Sequence, residues 1–145
     1  MIYRGCVFIN SHNNHSSFVQ VHLSYCTAGK LGGGFYIGTA NNNTHIINCS
    51  IERSSTANVN GNLGGAMYLK KHNHGFLFSG STVSFCYSYR AGGFYLAESN
   101  YDFHIFKSIF SHCSSTGTGG AIYLYLNNLN FLAEDLTISQ TMAQR

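Results

Sequence analysis

The sequence predicts an all-β protein, a right-handed parallel β-helix (a β-solenoid) of about five coils of about 28 residues each. Three observations predict it. A short glycine–tyrosine motif recurs, a set of columns follows each tyrosine at fixed offsets, and the apolar residues between them alternate. The motif reads GGGFY at 32–36, GGAMY at 64–68, AGGFY at 91–95 and GGAIY at 119–123. Its tyrosines, Tyr36, Tyr68, Tyr95 and Tyr123, lie 32, 27 and 28 residues apart.

Each part of the unit has its own physical reason. The glycine pairs mark a tight corner, or a place where backbones pass close together. Five residues after each tyrosine stands an asparagine: Asn41, Asn73, Asn100 and Asn128. Asparagine tolerates a left-handed backbone and bonds its neighbours, so this column predicts an amide ladder at a turn. Eight residues after come Thr44, Phe76, Phe103 and Phe131, and fifteen after come Ile51, Val83, Phe110 and Ile138. Apolar positions alternate through these stretches, as in Phe76 and Phe78 or Phe103 and Ile105, and period two means strand. No helical stripe at i, i+3, i+4, i+7 competes with it, because glycine, serine and asparagine interrupt every candidate. Eighteen residues after the tyrosine the column holds Ser54, Cys86, Cys113 and Thr141. All the variation in length falls after the apolar residue at offset fifteen. The longest copy, Glu52 to Leu63, is polar and reads as a surface-loop insertion.

Strands at a fixed phase stack on their counterparts about 4.8 Å away, and parallel connections of this kind are right-handed. Leucine-rich repeats share the period but need an L-x-x-L-x-L-x-x-N core that is absent here. Propeller blades run longer, at about 40 residues. Residues 1–145 are therefore read as one β-helix domain, either a piece of a longer β-helix or an end-capped unit of a larger assembly.

Composition narrows the function classes. Only 9% of residues are charged, yet 44% are hydrophobic, which argues against disorder. No apolar run approaches the roughly 20 residues that a membrane helix needs. The start, MIYRGCVFINSHNN, lacks the apolar centre of a secretory leader. Five cysteines cannot all pair within one chain, so reduced thiols are expected. These two features leave the compartment open, with an intracellular reading preferred unless the chain is a piece of an exported protein. The net charge of +3 is spread out, densest at Lys70 and Lys71, and implies no nucleic-acid partner.

The GGAMY and GGAIY motifs, each with an upstream apolar-x-x-Cys/Ser/Thr element, resemble the repeats of chlamydial polymorphic outer-membrane proteins and, more broadly, right-handed β-helix repeat proteins. The resemblance runs from about Phe18 to Met142. It implies a β-helix coil and a binding or structural role, either adhesin or passive scaffold, and no catalytic activity.

The residues offer few candidates for site chemistry. Cys26, Cys86 and Cys113 share one column and read as small buried side chains, though a Cys86–Cys113 bridge is within reach. Cys6 and Cys49 are placed together, two before Phe8 and Ile51. The histidine pairs His12/His15 and His72/His74 sit in polar stretches that read as exposed turns, and His45 and His104 share a column separated by Leu77. No zinc-like spacing joins histidine to cysteine, so no metal or other cofactor is expected. The acids Glu98, Asp102, Glu134 and Asp135 fall on different sides of the turn, unlike the facing pair a glycosidase needs. Sequons at Asn14, Asn42 and Asn48 occur at the frequency this composition gives by chance. No threonine column is filled as an ice-binding face would require.

The function expected is a non-catalytic scaffold binding protein partners at its ends or on a sheet face within a larger assembly. An extracellular adhesin is the alternative, and a polysaccharide lyase or hydrolase ranks below both. The structural ladder comprises Asn41, Asn73, Asn100, Asn128, Tyr36, Tyr68, Tyr95, Tyr123, Cys26, Cys86 and Cys113, and partner contacts are expected at Lys70, Lys71 and Arg53.

Overall fold

The computed structural model describes residues 5–57 and 59–144, which wind into a parallel β-solenoid of five coils. Each coil gives one strand to each of four five-stranded sheets. Sheet A stacks Val7–Ile9, Phe35–Ile37, Met67–Lys71, Phe94–Glu98 and Ile122–Leu126. Sheet B stacks Ser17–Val19, His45–Ile47, His74–Ser79, Tyr101–Phe106 and Leu132–Glu134. Sheet C runs through His22–Ser24, Ser50–Glu52, Thr82–Ser84, Ile109–Ser111 and Thr137–Ser139. Sheet D takes the two-residue strands Thr27–Ala28, Ser55–Thr56, Tyr87–Ser88, Ser114–Ser115 and Met142–Ala143. Every neighbouring pair is parallel and in the register set by the repeat: Tyr36, Tyr68, Tyr95 and Tyr123 oppose one another, as do Ile51, Val83, Phe110 and Ile138. Among the described residues no helix is long and apolar enough to cross a membrane.

Alternation decides what fills the interior. In sheet A, Phe35, Met67 and Phe94 with Ile37, Leu69 and Leu96 point inward and are fully buried. Sheet B contributes Ile46, Phe78 and Ile105, and sheet C contributes Ile51, Val83 and Phe110. Phe94 meets Phe110 and Phe78 edge-on at ring-centroid distances of 4.7 and 4.8 Å, which locks sheet A against sheets B and C. Burying each such side chain stabilises the fold by about 1.5–3 kcal/mol, so the columns are the main reason the coil closes.

The corners depend on left-handed backbone. The residue that opens each motif has positive φ: Gly32 at 61°, Gly64 at 67°, Gly119 at 70°, and Ala91 at 57°. The second glycine of each motif serves a different need. A Cβ on Gly92 would lie 2.4 Å from the backbone nitrogen and oxygen of Ser114, so sheet D can press against the corner only where no side chain stands. That close approach closes the circuit of each coil.

The five coils match the expected number, the first preceding Tyr36 and setting Phe8 opposite it in the tyrosine column. Three expectations are corrected. Phe8 therefore does not align with Ile51, and Cys6 stands level with Gly34 at the corner rather than with Cys49. Cys6 and Cys26 are joined in a disulfide with Cα atoms 5.5 Å apart, which corrects the expectation of reduced thiols throughout; Cys49, Cys86 and Cys113 are free and buried. The insertion is also narrower than Glu52 to Leu63, because Glu52, Ser55 and Thr56 belong to sheets C and D while Leu63 bridges Leu31 and Arg90. What remains is Ala57 and 59–62, with a turn at Asn60 and Gly61; Asn58 lies outside the described residues. Asn62 pins it by donating from Nδ2 to the carbonyls of Ala57 (2.7 Å) and Gly29 (3.2 Å).

Candidate interaction surfaces

The asparagine column is a continuous amide ladder with a direction. The backbone N–H of Asn41 donates to Oδ1 of Asn73 (2.9 Å), that of Asn73 to Asn100 (3.1 Å) and that of Asn100 to Asn128 (3.0 Å). Asn13, five residues after Phe8, is a further rung and donates in the same way to Asn41 at 2.9 Å. The phenylalanine at position 8 hid that rung from a search for tyrosine. Buried Asn73 also donates from Nδ2 to Gly38 and Asn100, both at 2.9 Å, so its side chain is fully used inside the fold.

The tyrosine column lies on the outer face of sheet A, its rings stacked from Phe8 through Tyr36, Tyr68 and Tyr95 to Tyr123 at centroid distances of 5.1–5.7 Å. Leu31, Leu63 and Ala97 pack beside it and bury Tyr68 and Tyr95. Burial, with the neighbouring phenols of Tyr36 and Tyr95, pushes the Tyr68 phenol up to about 12. The stacked rings cover one another's faces, leaving little flat surface for a ligand.

In the cysteine column, Cys86 and Cys113 donate from Sγ to the carbonyls of Ser84 (3.2 Å) and Ser111 (3.5 Å). The hydrogen bond between the two thiols, reinforced by burial, holds the Cys86 proton well above the ordinary thiol range. The same bond lowers the Cys113 thiol, yet both side chains are fully buried, which keeps either sulfur from acting as a ready nucleophile. Cys26 occupies the same column, but its sulfur is engaged by Cys6.

The partner-contact candidates do not lie together. Lys70 is exposed and Lys71 half-buried at the end of the sheet A strand, where Lys71 opposes Glu98 in the next coil. Arg53 sits beyond sheets B and C, at the corner between sheets C and D. There it belongs to an outward stripe that the sequence reading did not single out: Tyr25, Arg53, Phe85 and His112, one from each of four successive coils. All four have positive φ, and each N–H donates to a carbonyl of the coil above at 3.0–3.1 Å. That shared corner conformation aims the four side chains outward in line.

The Arg53 guanidinium lies 5.5 Å from the Tyr25 ring centre and 5.3 Å from that of Phe85, and Phe85 stacks on His112 at 4.5 Å and 15°. Tyr25 keeps 70% and Phe85 49% of its surface accessible. Arg53 also reaches Glu52 at 3.2 Å, and Glu52 lies 3.8 Å from His22. The signal for this stripe was the offset of seventeen residues from each column head, where side-chain types differ while their flat shape persists.

Two histidine–carboxylate pairs bridge neighbouring coils. His74 meets Asp102 at 2.6 Å and His104 meets Glu134 at 3.0 Å, and Asp102 accepts a further bond from Asn130 at 2.9 Å. Among the described residues no three His, Cys, Asp or Glu side chains converge on one point. No family model, no curated protein and no solved structure matches the chain.

Proposed function

We propose that this chain is a non-catalytic structural protein, a rigid β-solenoid that binds other proteins within a larger assembly, and that the Tyr25–Arg53–Phe85–His112 stripe makes the contact. The observation that carries this reading is the guanidinium held between two exposed rings. Tyrosine and arginine dominate the energetics of protein interfaces. Here Arg53 is already ordered, so docking costs less side-chain entropy than a free arginine would. Asp102 and Glu134, each tied to a histidine, have a structural role in this reading rather than an acid–base one.

The test compares proteins retained from native material by the wild-type chain and by a chain carrying Arg53→Glu and Phe85→Ser. Any protein lost with the double variant is purified and titrated against both chains by calorimetry. A drop in affinity of about tenfold or more is expected from losing two central contacts. Equal binding by both chains, with the variant's melting curve unchanged, refutes the assignment of the stripe.

A second reading, an extracellular adhesin-like β-helix, draws support from the Cys6–Cys26 disulfide, since such bonds persist in oxidising compartments. The resemblance to polymorphic outer-membrane protein repeats points the same way. Saturable binding to a glycan array or a cell surface, without any stripe-dependent protein partner, selects this reading.

A further inference from the structure

Chance accounts for three sequons in a chain of this composition, but the structure does not treat the three alike. Asn42 is half-buried in a stack between Asn14 and His74, and its Nδ2 donates to Oδ1 of Asn14 at 3.0 Å, so these two amides are tied to each other. Asn48 stands apart from them. It lies in coil two at the corner between sheets B and C, after His45–Ile47 and before Ser50–Glu52. Its φ of 52° turns the side chain outward, its backbone N–H donates to the Ser79 carbonyl at 2.9 Å, and the residue is exposed on the flank of the solenoid.

The neighbouring coils make room for its amide. The corner column reads Gln20, Asn48, Gly80, Lys107 and Asp135, and all five have φ between 46° and 57°. Four of them carry side chains there, so this backbone does not demand a glycine at 80. Space does. A Cβ on Gly80 would lie 2.4 Å from Oδ1 of Asn48 and push the amide aside. With no side chain at 80, Asn48 borders an open groove of about 390 Å³ that Gln20, His22, Ser50 and Thr82 also line. These are amide, imidazole and hydroxyl groups, and no lysine, arginine or carboxylate lines the groove. Such a lining both donates and accepts, as the neutral hydroxyls of a sugar require.

We infer that Asn48 is an N-glycosylation site and that its first sugar rests in this groove. Asn48-Cys49-Ser50 sets the hydroxyl residue where the acceptor motif needs it. The donor is an oligosaccharide carried on a polyprenyl diphosphate. A bond forms between Nδ2 and the sugar C1, and the bond from C1 to the diphosphate oxygen breaks. The diphosphate leaves with the electron pair, and Nδ2 gives up one proton to a base. In the folded chain Ser50 is half-buried, with its Oγ against Nδ1 of His22, so transfer precedes the closing of coils one and two. The finished fold accepts the sugar because Asn48 faces outward. The Cys6–Cys26 disulfide belongs to the oxidising compartments that an exported chain passes through. The site uses none of the stripe residues, and either assignment can fail without the other.

Mass spectrometry of the chain isolated from its natural source tests the inference. Trypsin releases a peptide over 31–53 that holds both Asn42 and Asn48. That peptide is expected to carry one oligosaccharide. After enzymatic release in heavy-oxygen water, its fragments should place the new labelled carboxylate at position 48. In a second arm the full chain is secreted from a eukaryotic cell line behind an export leader. The sugar mass should be lost in Ser50→Ala and in Asn48→Gln and kept in Ser50→Thr. Asn48→Gln should fold, since Gln20 holds the same corner position in coil one. A native peptide 31–53 that is bare overturns the inference, as does a sugar confined to position 14 or 42. A sugar on Asn48 that survives Ser50→Ala overturns it as well.

Discussion

At the scale of single residues, the most tightly constrained side chains are polar and buried. Asn73 accepts from the backbone of Asn41, donates to Asn100 and donates to the Gly38 carbonyl. A buried group that loses its partner keeps its desolvation cost, about 1–3 kcal/mol. Replacing Asn73 by alanine strands more than one such group, so Asn73→Ala should destabilise the chain by about 3 kcal/mol in urea unfolding. Asn13→Ala, at the exposed end of the same ladder, should cost less than about 1 kcal/mol. Equal losses at the two positions would mean that the ladder does not owe its strength to burial. The sequence made the buried rungs legible because their offset from tyrosine is constant. It hid Asn13 because the column head there is Phe8, which fills the same stacked position without the phenol.

At the scale of elements, one coil is a circuit of four short strands and tight corners, and its closure rests on what is missing at the corner. Gly92 lets the Ser114 backbone approach closer than any Cβ allows. Gly92→Ala should therefore push sheet D off the corner, at about 3 kcal/mol or more, measured as a fall in the denaturation midpoint. A neutral result would show that the corner yields cheaply. Glycine recurrence in the sequence announced such a position, but not which neighbour it serves. That neighbour lies 22 residues ahead in the chain, on the last strand of the same turn. The overextended insertion has a similar cause. Ser55 and Thr56 are polar and resemble a loop, yet a strand of two residues buries so little that composition does not mark it as strand.

At the scale of the whole molecule, the solenoid is a row of coils, each contacting only its neighbours, so a local change should act locally. Reducing the Cys6–Cys26 disulfide releases a loop of about 20 residues, which a chain-entropy account values at about 3 kcal/mol. The loss should fall on coil one. Hydrogen exchange after reduction is expected to speed up across 5–28 while the strands of coils three and four keep their protection. Uniform acceleration along the chain would mean a single cooperative unit instead.

The sequence by itself determined the strand period, the coil length and the columns at offsets five, eight, fifteen and eighteen from each tyrosine, because residues a constant stride apart must stack and stacking favours like on like. Only the tertiary structure decided which corner faces close on each other. It brought Cys6 to Cys26 and set Arg53 between Tyr25 and Phe85. These are contacts across a coil and along a corner. They depend on the direction in which a left-handed backbone turns each side chain, and a linear period carries no record of that direction.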